Sequence, residues 1–139
     1  MVKKILFVCK YNRFRSRVAK AYLEKINSNV QVESAGLIKG MPVNKLQTSI
    51  AKKFGLDIQG KPKGLSTKIL LWADVVIVVA DDVPKKIFNN KKYENKVVVW
   101  KIKDSKTDNL REVERIIKEI IVNVTKLNKK LKNGNSKRI

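Results

Sequence analysis

Three short apolar runs constrain this chain more than anything else in it: residues 4–8, 74–79 and 96–100, each rich in Val and Ile and none cleanly alternating. A strand reads this way when both its faces are buried, as in a parallel sheet covered by helices on two sides. A fourth run, residues 29–33, alternates weakly through Val30-Gln31-Val32 and predicts an edge strand. Helical spacing fills the intervals. Val18, Tyr22 and Ile26 recur every fourth residue with Ala19 and Leu23 beside them, and residues 46–54 form a segment that Gly55 would stop. Near the end, Leu110, Val113, Ile117, Ile120, Val124, Leu127 and Leu131 step by three and four, one apolar stripe with charges opposite, and Asp108 or Asn109 would cap it. Strands alternating with helices predict an α/β fold, an open four-stranded parallel sheet with helices on both faces, three-layered and doubly wound. Ligands of such sheets bind at the carboxyl ends of the strands. At 139 residues, without repeats or linkers, the chain is read as one domain over residues 1–132, followed by a basic tail, residues 133–139, expected to be flexible.

What the chain lacks narrows its chemistry. It contains no histidine, which excludes Ser-His-Asp triads, Cys-His dyads and imidazole-bound zinc, and its single cysteine, Cys9, excludes an internal disulfide or a multi-cysteine metal cage. Thirty-two Lys and Arg against twelve Asp and Glu give +20, a field that concentrates anionic partners without choosing among them. The opening Met-Val-Lys-Lys-Ile-Leu-Phe-Val-Cys imitates a signal peptide, but its apolar run spans only residues 5–9 before Lys10, Arg13 and Arg15. That is too short for export or a membrane span, so no membrane partner is expected, and with one free thiol the reading points to the cytoplasm.

The first predicted strand runs directly into Cys9-Lys10-Tyr11-Asn12-Arg13-Phe14-Arg15-Ser16, a C-x-x-x-x-x-R-S pattern at the start of the first helix. A loop wrapping from a strand into a helix N-terminus turns backbone N–H groups inward, and the helix dipole adds positive potential, so the loop suits a tetrahedral oxyanion. The same field favours the thiolate of Cys9. Arg15 can fold back and grip two oxygens with its planar fork. Ser16 can donate a hydroxyl to the sulfur, and Asn12 tolerates left-handed backbone and can brace the loop. The plain alternative is that Cys9 is a buried apolar residue at a strand end.

In its N-terminal position directly after the first strand, the motif resembles that of the low-molecular-weight protein tyrosine phosphatases and their arsenate reductase relatives. The likeness extends through Ser34-Ala35-Gly36, Gly40-Met41-Pro42, Phe54-Gly55-Leu56-Asp57-Ile58 and Ala73-Asp74-Val75-Val76-Ile77-Val78. The resemblance implies Cys9 as nucleophile, Arg15 as phosphate clamp, Ser16 as thiolate partner and Asn12 as loop brace, with Lys10, Tyr11, Arg13 and Phe14 completing the substrate-binding loop. Two positions depart from the family's loop: Tyr11 replaces a glycine, which could strain or widen it, and Phe14 replaces a second cysteine.

Expelling an alkoxide or phenoxide needs a proton donor opposite the nucleophile, and without histidine that donor is a carboxylate. Relatives carry Asp-Pro on a lid loop before the last helix. Asp104 takes that place by spacing, with Ser105 where the proline would be and Asp108 as the substitute. Asp81 and Asp82 also follow a strand and are assigned to loop geometry. The expected activity is hydrolysis of a phosphate monoester, phosphotyrosine in proteins foremost, through a phosphocysteine. Phosphate, sulfate and arsenate are the expected small ligands, and no metal or organic cofactor is called for. Two other readings stay open: arsenate reduction borrowing an external thiol, and a non-catalytic module binding phosphate or nucleic acid, the last without a motif to support it.

Overall fold

The computed structural model describes residues 2–41, 44–104 and 109–133. Four strands, β1 (Lys3–Cys9), β2 (Val30–Gly36), β3 (Val75–Val79) and β4 (Val97–Trp100), form one parallel sheet in the order β2-β1-β3-β4. Between and after them run helices α1 (Arg15–Ile26), α2 (Lys45–Lys53), α3 (Thr67–Trp72) and α4 (Leu110–Lys132). The open parallel α/β architecture expected from the apolar runs is the one observed.

The absence of alternation in the central strands follows from two cores. Ile5 and Phe7 of β1, with Val75, Ile77 and Val79 of β3, face a cluster built with α1, α2 and α4. Leu6 and Val8, with Val76 and Val78, face a second cluster holding Leu70 of α3, Val83 and Phe88. Each of these strand residues is buried, so every position must be apolar. Burying one such side chain contributes about 1.5–3 kcal/mol. α1 and α4 lie side by side on the first face, tied at their ends by Asn27 Nδ2 donating to Asn128 Oδ1 at 2.8 Å.

Some boundaries differ from those expected. The edge strand at residues 29–33 runs instead from Val30 to Gly36, because Phe7, Val8 and Cys9 of β1 pair with Ser34, Ala35 and Gly36. In α4 the buried stripe takes in Ile116, whereas Leu110 stands 46% exposed. Of the two proposed caps, Asn109 performs the task, its side chain accepting from the Arg111 and Glu112 amides. Asp108 and residues 134–139 of the tail lie outside the described residues. The pairings Cys9↔Gly36 and Val8↔Val78 bring three strands to a common carboxyl edge, and Cys9 is the last residue on the central β1.

Candidate active site

Residues 9–16, from the last residue of β1 into the first turn of α1, form a tight loop at the carboxyl edge. Its shape is set by where its carbonyls go. The carbonyls of Cys9, Lys10 and Tyr11 accept from the amides of Leu37, Ile38 and Gly40 at 2.9, 2.9 and 3.2 Å, and that of Asn12 accepts from Arg17 Nε at 2.7 Å. In a trans peptide the N–H points opposite to its carbonyl. Holding four successive carbonyls outward therefore turns the N–H groups of residues 10–13 toward the inside of the loop. α1 begins with neither a side-chain cap nor an acidic residue in its first turn, which keeps the positive end of its dipole for an anion.

Asn12 is the brace. It is the one described non-glycine residue with positive φ, 54°, and is 1% exposed. Its Nδ2 donates to Ser16 Oγ and Ser34 Oγ, each at 2.9 Å, while its Oδ1 accepts from the Lys63 amide at 2.9 Å. Two glycines let other chain segments close on the loop. A Cβ on Gly36 would sit 2.6 Å from Asn12 N and Tyr11 C, and one on Gly40 would sit 2.6 Å from Tyr11 Cβ. Tyr11 is thus accommodated where a smaller residue was expected, because the residue facing it is Gly40.

Cys9 Sγ lies 3.0 Å from Ser16 Oγ, and both residues are buried. Arg15 is 2% exposed and reaches the loops that follow β3 and β4. Its Nη1 donates to the Ile102 carbonyl at 2.8 Å, and its Nη2 to both oxygens of Asp82 at 2.9 and 3.2 Å. Asp81 stands 3.8 Å and Asp104 3.6 Å from the same guanidinium. Three carboxylates from two loops surround one buried cation, a charge balance that water would otherwise supply. A cavity of about 910 Å³ opens beside them, lined by these aspartates with Lys103, Glu112 and Arg115.

The structure thus joins Cys9, Asn12 and Ser16 through hydrogen bonds and sets Asp104 beside Arg15. Phe14 is placed otherwise: its side chain is 3% exposed and packs in the core beneath the sheet, so only its backbone belongs to the loop. Lys10, Tyr11 and Arg13 are half-buried at the loop's rim; Lys10 Nζ rides 5.3 Å above the Tyr11 ring, and the Arg13 stem lies against Gly40. Asp81 and Asp82 contribute more than loop geometry, since both neutralise Arg15. Sequence reading missed Arg17 and a belt formed by residues 58–65. There the Ile58 and Gln59 carbonyls meet Arg17, the Lys63 amide meets Asn12, and the Gly36 amide donates to the Lys63 carbonyl. The string Gly60-Lys61-Pro62-Lys63-Gly64 was the available signal of a shaped loop. Partial burial lowers the Arg17 guanidinium from its ordinary value, and attraction to Cys9 opposes that shift.

The parallel α/β sheet thus carries a buried thiol at the end of its central strand, in a loop whose carbonyls are bound from outside, with a buried guanidinium on the helix that follows. A model of the low molecular weight phosphotyrosine protein phosphatase family matches residues 4–137, and the chain belongs to that family, as a phosphatase-type hydrolase. No match to a curated protein sequence is found. Solved structures with the same fold include the YwlE arginine phosphatase of Geobacillus stearothermophilus, at 21% identity and TM-score 0.84, covering 99% of this chain and 97% of that one. Vibrio vulnificus Wzb in complex with benzylphosphonate superposes with TM-score 0.84 at 20% identity, covering 94% and 99%. A thioredoxin-dependent arsenate reductase of Corynebacterium glutamicum reaches 26% identity and TM-score 0.75, over 96% of this chain but 63% of its own. No helix among the described residues is long and apolar enough to cross a membrane.

Proposed function

We propose that this chain hydrolyses phosphate monoesters, protein phosphotyrosine foremost, through a phosphocysteine formed on Cys9. The observation that carries the reading is the Cys9 sulfur, 3.0 Å from Ser16 Oγ, at the base of a loop whose carbonyls are turned outward. The phosphoryl group enters with its equatorial oxygens on the inward N–H groups and on Arg15. Among the described residues that guanidinium donates from Nη1 to Ile102 and from Nη2 to Asp82, and we assign its Nε–H to the substrate. Cys9 Sγ attacks phosphorus in line and the P–O bond to the leaving group breaks, Asp104 supplying the proton to that oxygen. Ser16 donates to the sulfur when it must leave again. Asp104, now a carboxylate, takes a proton from water, whose oxygen attacks phosphorus and releases inorganic phosphate and the thiolate.

Among the related folds are enzymes named for arginine and for tyrosine phosphate. Arg13 and Lys10 at the rim favour the aryl phosphate, because a phosphoarginine brings its own cation against them. Turnover of p-nitrophenyl phosphate and of a phosphotyrosyl peptide, abolished by Cys9→Ser, is the expected result. Equal turnover by wild type and Cys9→Ser would refute the mechanism, and faster release of phosphate from phosphoarginine than from phosphotyrosine would refute the substrate.

A further inference from the structure

We propose that Arg17 is a positioning residue of the anion loop, its guanidinium fixing the Asn12–Arg13 peptide so that the Arg13 N–H faces a bound phosphate. The inference rests on the anion-binding reading above and deepens it. Of the four carbonyls that must turn outward, those of Cys9, Lys10 and Tyr11 are held by the Leu37, Ile38 and Gly40 amides of the segment after β2. Among the described residues, that segment supplies no amide to the fourth. The Asn12 carbonyl is taken instead by Arg17 Nε at 2.7 Å, the shortest of the four contacts. It is also the carbonyl of the one described non-glycine residue in left-handed backbone, a conformation that costs an L-residue energy.

Arg17 is itself anchored. Its Nη1 lies 3.4 Å from the Ile58 and Gln59 carbonyls, so one planar group bridges the loop to the belt that also carries the Lys63 amide to Asn12 Oδ1. Gly60 makes room for it: its φ is 137°, and a Cβ there would stand 2.9 Å from Arg17 Nη1. Arginine suits the task because its fork directs donors to two separate acceptors at once, and charge-assisted hydrogen bonds are about twice as strong as neutral ones. A lysine ammonium keeps the charge and can reach Asn12, but has no second arm for residues 58 and 59. Arg17 thus acts on phosphate through a peptide, where Arg15 acts directly.

The test compares wild type with Arg17→Met, Arg17→Gln and Arg17→Lys, reading inorganic phosphate binding by titration calorimetry alongside kcat and KM for p-nitrophenyl phosphate. Arg17→Met should weaken phosphate about 10-fold, the loss of one oriented donor. It should lower kcat/KM about 100-fold, with part of the loss in kcat. Arg17→Lys should fall between Met and wild type in both readouts. Should Arg17→Met not fold, Arg17→Gln carries the test on the same criteria. Phosphate affinity within two-fold of wild type in the folded Met or Gln variant overturns the proposal, whatever happens to turnover. A wild-type protein that binds phosphate in an Arg17-dependent way but hydrolyses nothing upholds this inference while sinking the enzymatic one, and a wild type that binds no phosphate sinks both.

Discussion

Arg15 and Asp82 form a forked contact, Nη2 lying 2.9 and 3.2 Å from the two carboxylate oxygens, with the arginine 2% exposed and the aspartate at the surface of the cavity. The pair gives a counter-charge to a cation that burial takes out of water. Asp82→Asn leaves a buried cation with only the more distant Asp81 and Asp104, and should cost about 1.5–3 kcal/mol in urea unfolding. Phosphate restores a counter-ion to Arg15, so saturating phosphate should narrow the gap to wild type. An Asp82→Asn protein as stable as wild type without phosphate would show that the contact is not used.

Gly36 and Gly64 are bridged to each other, yet they should respond unequally to alanine. At Gly36 the added methyl meets backbone of residues 11 and 12 at 2.6 Å and the Ile38 carbonyl at 2.8 Å, whereas at Gly64 it meets only Lys39 at 3.9 Å. Gly36→Ala should therefore destabilise by about 1–3 kcal/mol and displace the loop, with phosphate affinity falling alongside. Gly64→Ala should stay within about 0.5 kcal/mol of wild type. Thermal unfolding and phosphate titration of both variants check the pair, and equal effects would contradict the packing described.

Removing the proposed proton donor should slow both chemical steps. Asp104→Asn is expected to lower kcat by roughly 10²–10⁴-fold, with the larger loss on alkyl phosphates, whose leaving groups need the proton most. Rates for p-nitrophenyl phosphate and an alkyl phosphate, measured together, decide this. An unchanged kcat on both would remove Asp104 from the mechanism.

Cys9 has no thiol partner within the chain, and Phe14, which the resemblance sets opposite a family cysteine, is buried in the core. A sulfenic acid on Cys9 cannot be trapped as an intramolecular disulfide, so further peroxide should carry it to the sulfinic and sulfonic acids. Prolonged exposure should leave activity that dithiothreitol does not restore, with added oxygen on the Cys9 peptide by mass spectrometry. Full recovery by dithiothreitol would contradict this.

The sheet was legible because residues 5–9 of β1 and all of β3 are buried on both faces and so had to be apolar, the pattern of a covered parallel sheet. Helix α3 was not: at six residues, with Leu70 alone buried, it is too short to display a period. The last three residues of β2 escaped for a related reason, since Ser34, Ala35 and Gly36 are held by pairing with β1 and carry little hydrophobic signal. In the site, Cys9, Asn12, Arg15 and Ser16 were visible as one local motif. Their partners were not, because Arg15 meets Asp82 and Ile102 across 67 and 87 residues of sequence. Arg17 was hidden in another way. Its place in the chain reads as an ordinary exposed helix cation, and only the path of residues 58–60 gives its guanidinium acceptors.

The most direct test is to mix Asp104→Asn with p-nitrophenyl phosphate, quench rapidly and map the phosphoryl group by mass spectrometry. With water activation lost, one phosphoryl group should accumulate on the Cys9 peptide, and none should form on that peptide when Cys9→Ala is added to the same protein. A phosphoryl group carried by any other residue, or steady turnover by a chain lacking the Cys9 sulfur, would contradict the account.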